Sequence, residues 1–268
     1  MSVLQALLAR APLPQRMAVV VAHPDDETIA AGASLRLMPG LLLVHVTDGA
    51  PARLDDFRRN GFATPAAYGE AREAELRAAL ELAGVQPDRA RLRVSDQDAM
   101  LHVAGIVAGL AGLFDRHAIQ AVLTHAYEGG HPDHDATALA THLAARARGI
   151  PVLEFPAYHA GPGGEMEVQR FLPAATAPET LVRLSPAETD RKRAMLDCFH
   201  TQAGILHLFA ASMERFRPAP AYDFTAPPHP GLLNYERWGW EMTAARWCEL
   251  ARQASIPGES GHAAAHRP

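Results

Sequence analysis

Cysteine is scarce in this chain: among 268 residues only Cys198 and Cys248 occur. Neither belongs to a Cys-x-x-Cys pair, so a thiolate metal site is not expected, and nothing asks for a disulfide. An excess of basic charge is also missing. Lys and Arg number 25 against 30 Asp and Glu, a formal net charge of −5, which leaves no basic patch to neutralise phosphates and excludes a nucleic-acid partner. The densest basic cluster, Arg191-Lys192-Arg193, sits near the start of a predicted helix. Long apolar runs are lacking too. The stretch from Leu4 to Leu8 is interrupted at Gln5 and closed by Arg10, too short for a secretory signal. No later run approaches membrane-spanning length. The expectation is a cytoplasmic protein without membrane insertion, and no solenoid-type repeat is visible.

What is present is apolar material for a large core, 48% of the residues. This suits one domain over 1–254, with a motif-bearing core at 17–155, a less regular part at 156–254 and a disordered tail at 255–268. Met17 to Ala22, Leu41 to Thr47 and Ile119 to Thr124 are continuous apolar runs rich in β-branched residues, the pattern of strands buried on both faces. Shorter strands are expected at Arg91 to Val94, Pro151 to Phe155 and Thr180 to Leu184. Helices fall between them. Thr64-Pro65 reads as an N-cap with Pro in the first turn, and Gly84 as the stop. His102 to Phe114, Asp133 to Arg148 and a helix opened by the capping box at Ser185 to Glu188 follow. Asn234 to Ala254 reads as a final helix, and Ala157 to Ala177 and Arg217 to Pro230 as loops. The alternation predicts an α/β fold, Rossmann-like, with three α/β/α layers and a mostly parallel sheet.

Chemistry concentrates after two of the strands. The first runs into Ala22-His23-Pro24-Asp25-Asp26-Glu27, and the third into Gly129-Gly130-His131-Pro132-Asp133-His134-Asp135. In parallel sheets ligands bind outside the carboxyl ends of the strands, and each motif places Pro at the expected first position of a helix. His23 and Asp26 are three apart, as are His131 and His134, so each pair can face one side. Two histidines and a carboxylate on helix starts make a hydrolytic zinc site with coordination open for water. Alone, either motif reads more readily as a turn whose acids serve the helix dipole. Two of them on one sheet rim reverse that judgement.

These motifs resemble the two signatures of the PIG-L (LmbE-like) family, zinc enzymes that deacetylate N-acetylglucosamine-containing glycolipids and glycosides. The resemblance spans 17–155 and takes in Thr47-Asp48-Gly49, Arg72 with Glu75, and Asp96. It implies an LmbE-like fold and one Zn2+ per chain held by His23, Asp26 and His134. Asp25 matches the general base, and His131 the residue that stabilises the oxyanion or protonates the leaving amine. Asp133 would orient His131, and Arg72 matches a substrate contact. Asp48 and Asp96 are further candidates for substrate binding. Tyr127 and Glu128 could line the pocket, although Gly129 stands where some relatives carry a tyrosine.

By their spacing alone, Arg72 and Glu75 would be a solvated ion pair of ~0.3–0.5 kcal/mol. Trp238, Trp240 and Trp247 read as packing residues. The expected partner is a small amino sugar or glycoconjugate; a homo-oligomer is left open. Three rival readings stand beside deacetylation. One is an amidase for a larger acyl group or thiol conjugate, the second a non-haem Fe(II) oxygenase with a facial triad, and the third a non-catalytic zinc-containing sugar-binding protein.

Overall fold

β1 (Met17–Val21) has all five residues buried, as its unbroken apolar sequence requires. The structure, a computed structural model, describes residues 1–51, 56–173 and 177–255. The other strands are β2 (Leu42–Thr47), β3 (Asp88–Val94), β4 (Ala121–His125), β5 (Val152–Phe155), β6 (Tyr158–Ala160), β7 (Met166–Val168), β8 (Thr180–Arg183) and β9 (Met213–Pro218). Seven of them form one sheet in the order β3-β2-β1-β4-β5-β9-β8. The first five strands of that order pair in parallel; β9 joins antiparallel to β5 and β8. The small β6–β7 pair is separate. The α/β fold with a mostly parallel sheet is as expected.

Alternate residues of β1 serve two cores, as the two-residue period of a strand dictates. Val19 and Val21 join Leu43, Leu76, Leu80 and Met195 on one face. Ala18 and Val20 join Val44, Ile106, Leu139 and Trp247 on the other. Helices Pro65–Ala83 and Pro186–Leu196 therefore cover one side, and Val103–Arg116, Pro132–Arg146 and Ala244–Ser255 the opposite one. The local signals behave as their chemistry demands. Thr64 accepts from the Ala67 N–H, Gly84 ends its helix at φ 69°, and both bonds of the Ser185–Glu188 capping box form.

Four departures matter. The stretch 157–177, expected as a loop, carries β6 and β7, and the residues leading into the Pro-rich segment form β9. These strands are short or only partly buried, so their sequences lack a long apolar run. The expected last helix is broken into Asn234–Arg237 and Ala244–Ser255, with Gly239 at φ 72° between them. Ala99–Arg116 is long and apolar enough to cross a membrane by length and composition, against the expectation from uninterrupted runs. Its hydropathy comes mainly from Leu, Val and Ile spread between Ala and Gly rather than from one unbroken run, and its Val103, Ile106, Leu110 and Leu113 pack into the core. Finally, the tail expectation for 255–268 falls, beyond Ser255, outside the described residues.

β1 pairs with β2 on one side and β4 on the other, so the strand order reverses beside β1. A crevice opens at such a reversal, outside the carboxyl ends of the strands. Both His-Pro-Asp motifs leave the sheet there.

Candidate metal centre

Thr47 pins the end of β1, its N–H and hydroxyl both donating to the Ala22 carbonyl at 2.9 and 3.0 Å. The chain then turns sharply. Asp25 has φ 136° and ψ −31°, a conformation that costs a residue with a side chain ~1–3 kcal/mol. Its carbonyl accepts from the Thr28 and Ile29 N–H groups at 2.9 and 3.0 Å, starting helix Asp26–Ala31. Pro24 thus lies outside the helix rather than at its first position. The second motif is ordinary by contrast. His131 is an extended N-cap at φ −131°, and Pro132 is the first helical residue, as expected.

The two turns bring three donor side chains together, with the two imidazoles on different oxygens of the one carboxylate. His23 Nδ1 lies 3.4 Å from Asp26 Oδ2, His134 Nε2 lies 3.3 Å from Asp26 Oδ1, and the two ring nitrogens are 3.3 Å apart. A tetrahedral ion with bonds of about 2.0–2.1 Å separates its ligands by about 3.3–3.4 Å. Each imidazole stands at that spacing from the other and from its own Asp26 oxygen, which fits a zinc-sized cation faced by both carboxylate oxygens. Protonation agrees: His23 Nε2 faces the carboxylates of Asp133 at 3.3 Å and Asp96 at 3.6 Å, so that nitrogen carries the proton and Nδ1 turns a lone pair inward. Burial alone would depress the His23 imidazole, but the Asp96 charge and the bonds to Asp133 and Asp26 carry it well above its ordinary value. The same surroundings that favour a cationic imidazole favour a bound cation.

Asp25 faces Arg72. The Arg72 guanidinium is buried and donates to the Asp25 carboxylate at 2.8 Å, to the Pro24 carbonyl at 2.9 Å and to the Gly49 carbonyl at 2.6 Å. It is no solvated partner of Glu75, which binds Thr201 instead. Gly49 is required here, because a Cβ would overlap the guanidinium. Burial pushes the Asp25 carboxyl up, against the pull of Arg72, to about 8. His131 goes the other way: burial, then the positive fields of His23 and His134, hold it well below its ordinary value. Its Nδ1 accepts the Asp133 N–H at 3.1 Å, which leaves Nε2–H as the free edge.

The Asp133 side chain does something other than expected. Its carboxylate meets His23, not His131, and is held by the Gln97 and Ala99 N–H groups at 2.6 and 3.1 Å. Only its main chain touches His131. Asp96 lines the cavity and adds the second carboxylate beside His23. Asp48 stays away: it is exposed and accepts from the Ala50 N–H at 3.0 Å. The tight turn into Gly49 sends that carbonyl toward Arg72 and Asp48 outward, to a separate hollow beside Arg77 and Arg91.

The cavity over these groups holds about 300 Å³ and is half apolar in character, with Ile29, Leu206, Phe209, Tyr158, Trp238 and Trp240 on its wall. Trp240 meets the His131 ring edge-on at 4.9 Å, whereas Trp247 is packed in the core as expected. Tyr127 and Glu128 are not on the wall. Tyr127 packs on Phe224 and Trp247, and Glu128 accepts the Ala157 and Tyr158 N–H groups. Two site residues escaped the sequence reading. His125, the last residue of β4, stacks on His134 at 4.0 Å and lies 3.3 Å from Asp26; its place at the end of a buried strand was the available signal. Tyr158 lies 5.4 Å from the His134 ring and comes from a strand with no sequence signature. Gly130 lets it approach, since a Cβ there would overlap the Tyr158 carbonyl.

Residues 18–145 match the family model described as PIG-L: GlcNAc-PI de-N-acetylase. No curated protein matches the chain. Among solved structures, it is similar to a deacetylase–bog complex from the biosynthesis pathway of teicoplanin. That match has a TM-score of 0.61 and 19% identity, covering 78% of this chain and 99% of that one. It is similar to the zinc inhibited form of teicoplanin deacetylase, with TM-score 0.59, 18% identity and coverage of 78% and 99%. A third is the deacetylase of the A40926 pseudoaglycone, with TM-score 0.59, 23% identity and coverage of 78% and 99%.

Proposed function

We propose that this chain, which belongs to the PIG-L family through residues 18–145 and is a deacetylase, hydrolyses the N-acetyl group of an N-acetylglucosamine-type amino sugar or glycoconjugate with one zinc ion. The observation that carries the reading is the convergence of His23, Asp26 and His134: the two ring nitrogens stand 3.3 Å apart, each 3.3–3.4 Å from one oxygen of the Asp26 carboxylate, with Asp25 on the same cavity wall. The name of a relative, a zinc inhibited deacetylase, supports a zinc-binding site. Those three residues would hold the ion, which when bound polarises the amide carbonyl and brings the pKa of water to ~7.

The rest falls to the chain's own side chains. Asp25 accepts the proton of the attacking water, and Arg72 keeps that carboxylate in place from behind. His131, neutral and with its Nε2–H free, donates a hydrogen bond to the oxyanion, and the proton that Asp25 has taken from the water passes to the departing nitrogen as the C–N bond breaks. Asp133 and Asp96 fix the His23 tautomer so that Nδ1 is free to ligate. The wall of Trp238 and Trp240 beside His131 offers ring faces to the sugar of the leaving amine. The apolar side at Ile29, Leu206 and Phe209 favours, as a second reading, an acyl group larger than acetyl. Both cysteines are free thiols, which fits a cytoplasmic location.

The test is metal analysis of the purified protein coupled to acetate release across a panel of N-acetylglucosamine derivatives. One zinc per chain and acetate release that stops with His134→Ala are expected. Equal hydrolysis by fully metal-depleted protein sinks the reading, and oxygen consumption with a keto-acid would turn it toward the oxygenase.

A further inference from the structure

Asp25 holds its rare backbone conformation inside a short and fully buried chain of hydrogen bonds that no cavity residue explains. Its N–H donates to Glu27 Oε2 at 3.1 Å. Glu27 has no exposed surface, and its other oxygen accepts the Thr28 hydroxyl at 2.6 Å. The remaining partner is His45, in the middle of β2, whose Nε2 lies 3.0 Å from Glu27 Oε2. His45 is 1% exposed, and its Nδ1 has no hydrogen-bond partner among the described residues. The ring therefore makes one polar contact, and that contact is Glu27.

This arrangement is costly unless it does something. A carboxylate with no water must be met by donors on both oxygens, and the sheet supplies one of them from a strand that otherwise reads as pure core. Of the three donors, His45 comes from outside the turn and Thr28 from the helix start itself. The third is the Asp25 N–H itself, which in an ordinary helix start would point to solvent or to a capping side chain. Only with the N–H turned inward does the Asp25 side chain come round to Arg72, 2.8 Å away.

We propose that His45 and Glu27 are positioning residues for Asp25: the imidazole fixes the Glu27 carboxylate, and the carboxylate holds the Asp25 backbone in the left-handed region. The proposal rests on Asp25 being the base of the reaction above. Neither residue touches the cavity, so the effect reaches catalysis only through the placement of one carboxylate.

The experiment compares zinc-loaded wild type with His45→Met, which removes the donor, and His45→Gln, which keeps an N–H on a side chain of similar reach. Thr28→Val removes the other side-chain donor to Glu27 with almost no change of shape, and it answers the question should His45→Met fail to fold. Rates are taken with the N-acetylglucosamine derivative that wild type hydrolyses fastest, bound zinc is measured on the same samples, and the Asp25 backbone is read from crystals. The expected result is a kcat about tenfold to a hundredfold lower, with KM and zinc content unchanged, Asp25 out of its positive φ, and recovery in His45→Gln. Unchanged kcat in folded His45→Met, an Asp25 turn that stays as it is, or loss of zinc in step with loss of rate overturns the proposal. Asp25→Asn separates the two readings: if it keeps full turnover, the assignment of the base is wrong, whereas the crystallographic arm still reports on His45.

Discussion

The same tripeptide, His-Pro-Asp, is used twice on one rim and folds in two different ways. In the first copy the aspartate is forced to φ 136° ahead of its helix; in the second the histidine is a relaxed N-cap and the aspartate is an ordinary first-turn residue. The strained copy aims its carboxylate at Arg72 and the cavity. The relaxed copy buries its carboxylate against the first copy's histidine. The difference teaches that the motif supplies residue types, while backbone conformation decides which aspartate faces the cavity and which backs the neighbouring histidine.

The sharpest way to break the comparison is to make one change in both copies. Asp25→Asn should lower acetate release by ~10²–10⁴-fold and leave bound zinc as it is. Asp133→Asn should act on the metal instead, weakening zinc affinity ~10–100-fold, as measured by competition with a chelator. If the two variants behaved alike, the division between the copies would be lost. Gly49→Ala tests what holds the strained copy. It pushes the guanidinium from the Gly49 carbonyl, and kcat should fall about tenfold with zinc retained.

The smallest effect concerns the helix that the relaxed copy opens. His142 on that helix is held by burial at about 4, against an ordinary 6.5 when unfolded. The unfolded chain then binds the proton more readily, so stability falls as pH drops from 6.5 towards 4 and is untouched above that window. His142→Phe should remove this loss. In denaturant titrations the variant should gain on wild type at pH 4.5 and not at pH 7.5, with unchanged catalysis.

Much of the centre could be read from the residues, because its candidate ligands sit three apart at the ends of apolar runs. His23, Asp26, His131 and His134 are all brought together on that basis. The side-chain partner expected for Asp133, and the solvated Glu75 pair that spacing alone gave Arg72, failed for a common reason, while Arg72 does line the cavity. Spacing along a helix says which residues share a face, but not what approaches that face from another strand. Asp133 finds His23 across the crevice, and Arg72 reaches a carbonyl 23 residues away in sequence. His45 was invisible within β2, since one imidazole in a buried strand gives no periodic signal. Tyr158 and the Trp238–Trp240 wall depend on β6 and on a helix broken at Gly239, where the pattern of apolar residues is too short to read.

The placement of the three tryptophans makes the chain its own optical probe. Trp247 is sealed in the core with its indole N–H on the Phe224 carbonyl, so its emission follows folding. Trp238 is 42% exposed and stands 5.0 Å from Trp240 at the mouth of the cavity. Light from that pair should change when a ligand covers it, and a titration with the proposed amino sugars can follow occupancy without waiting for turnover.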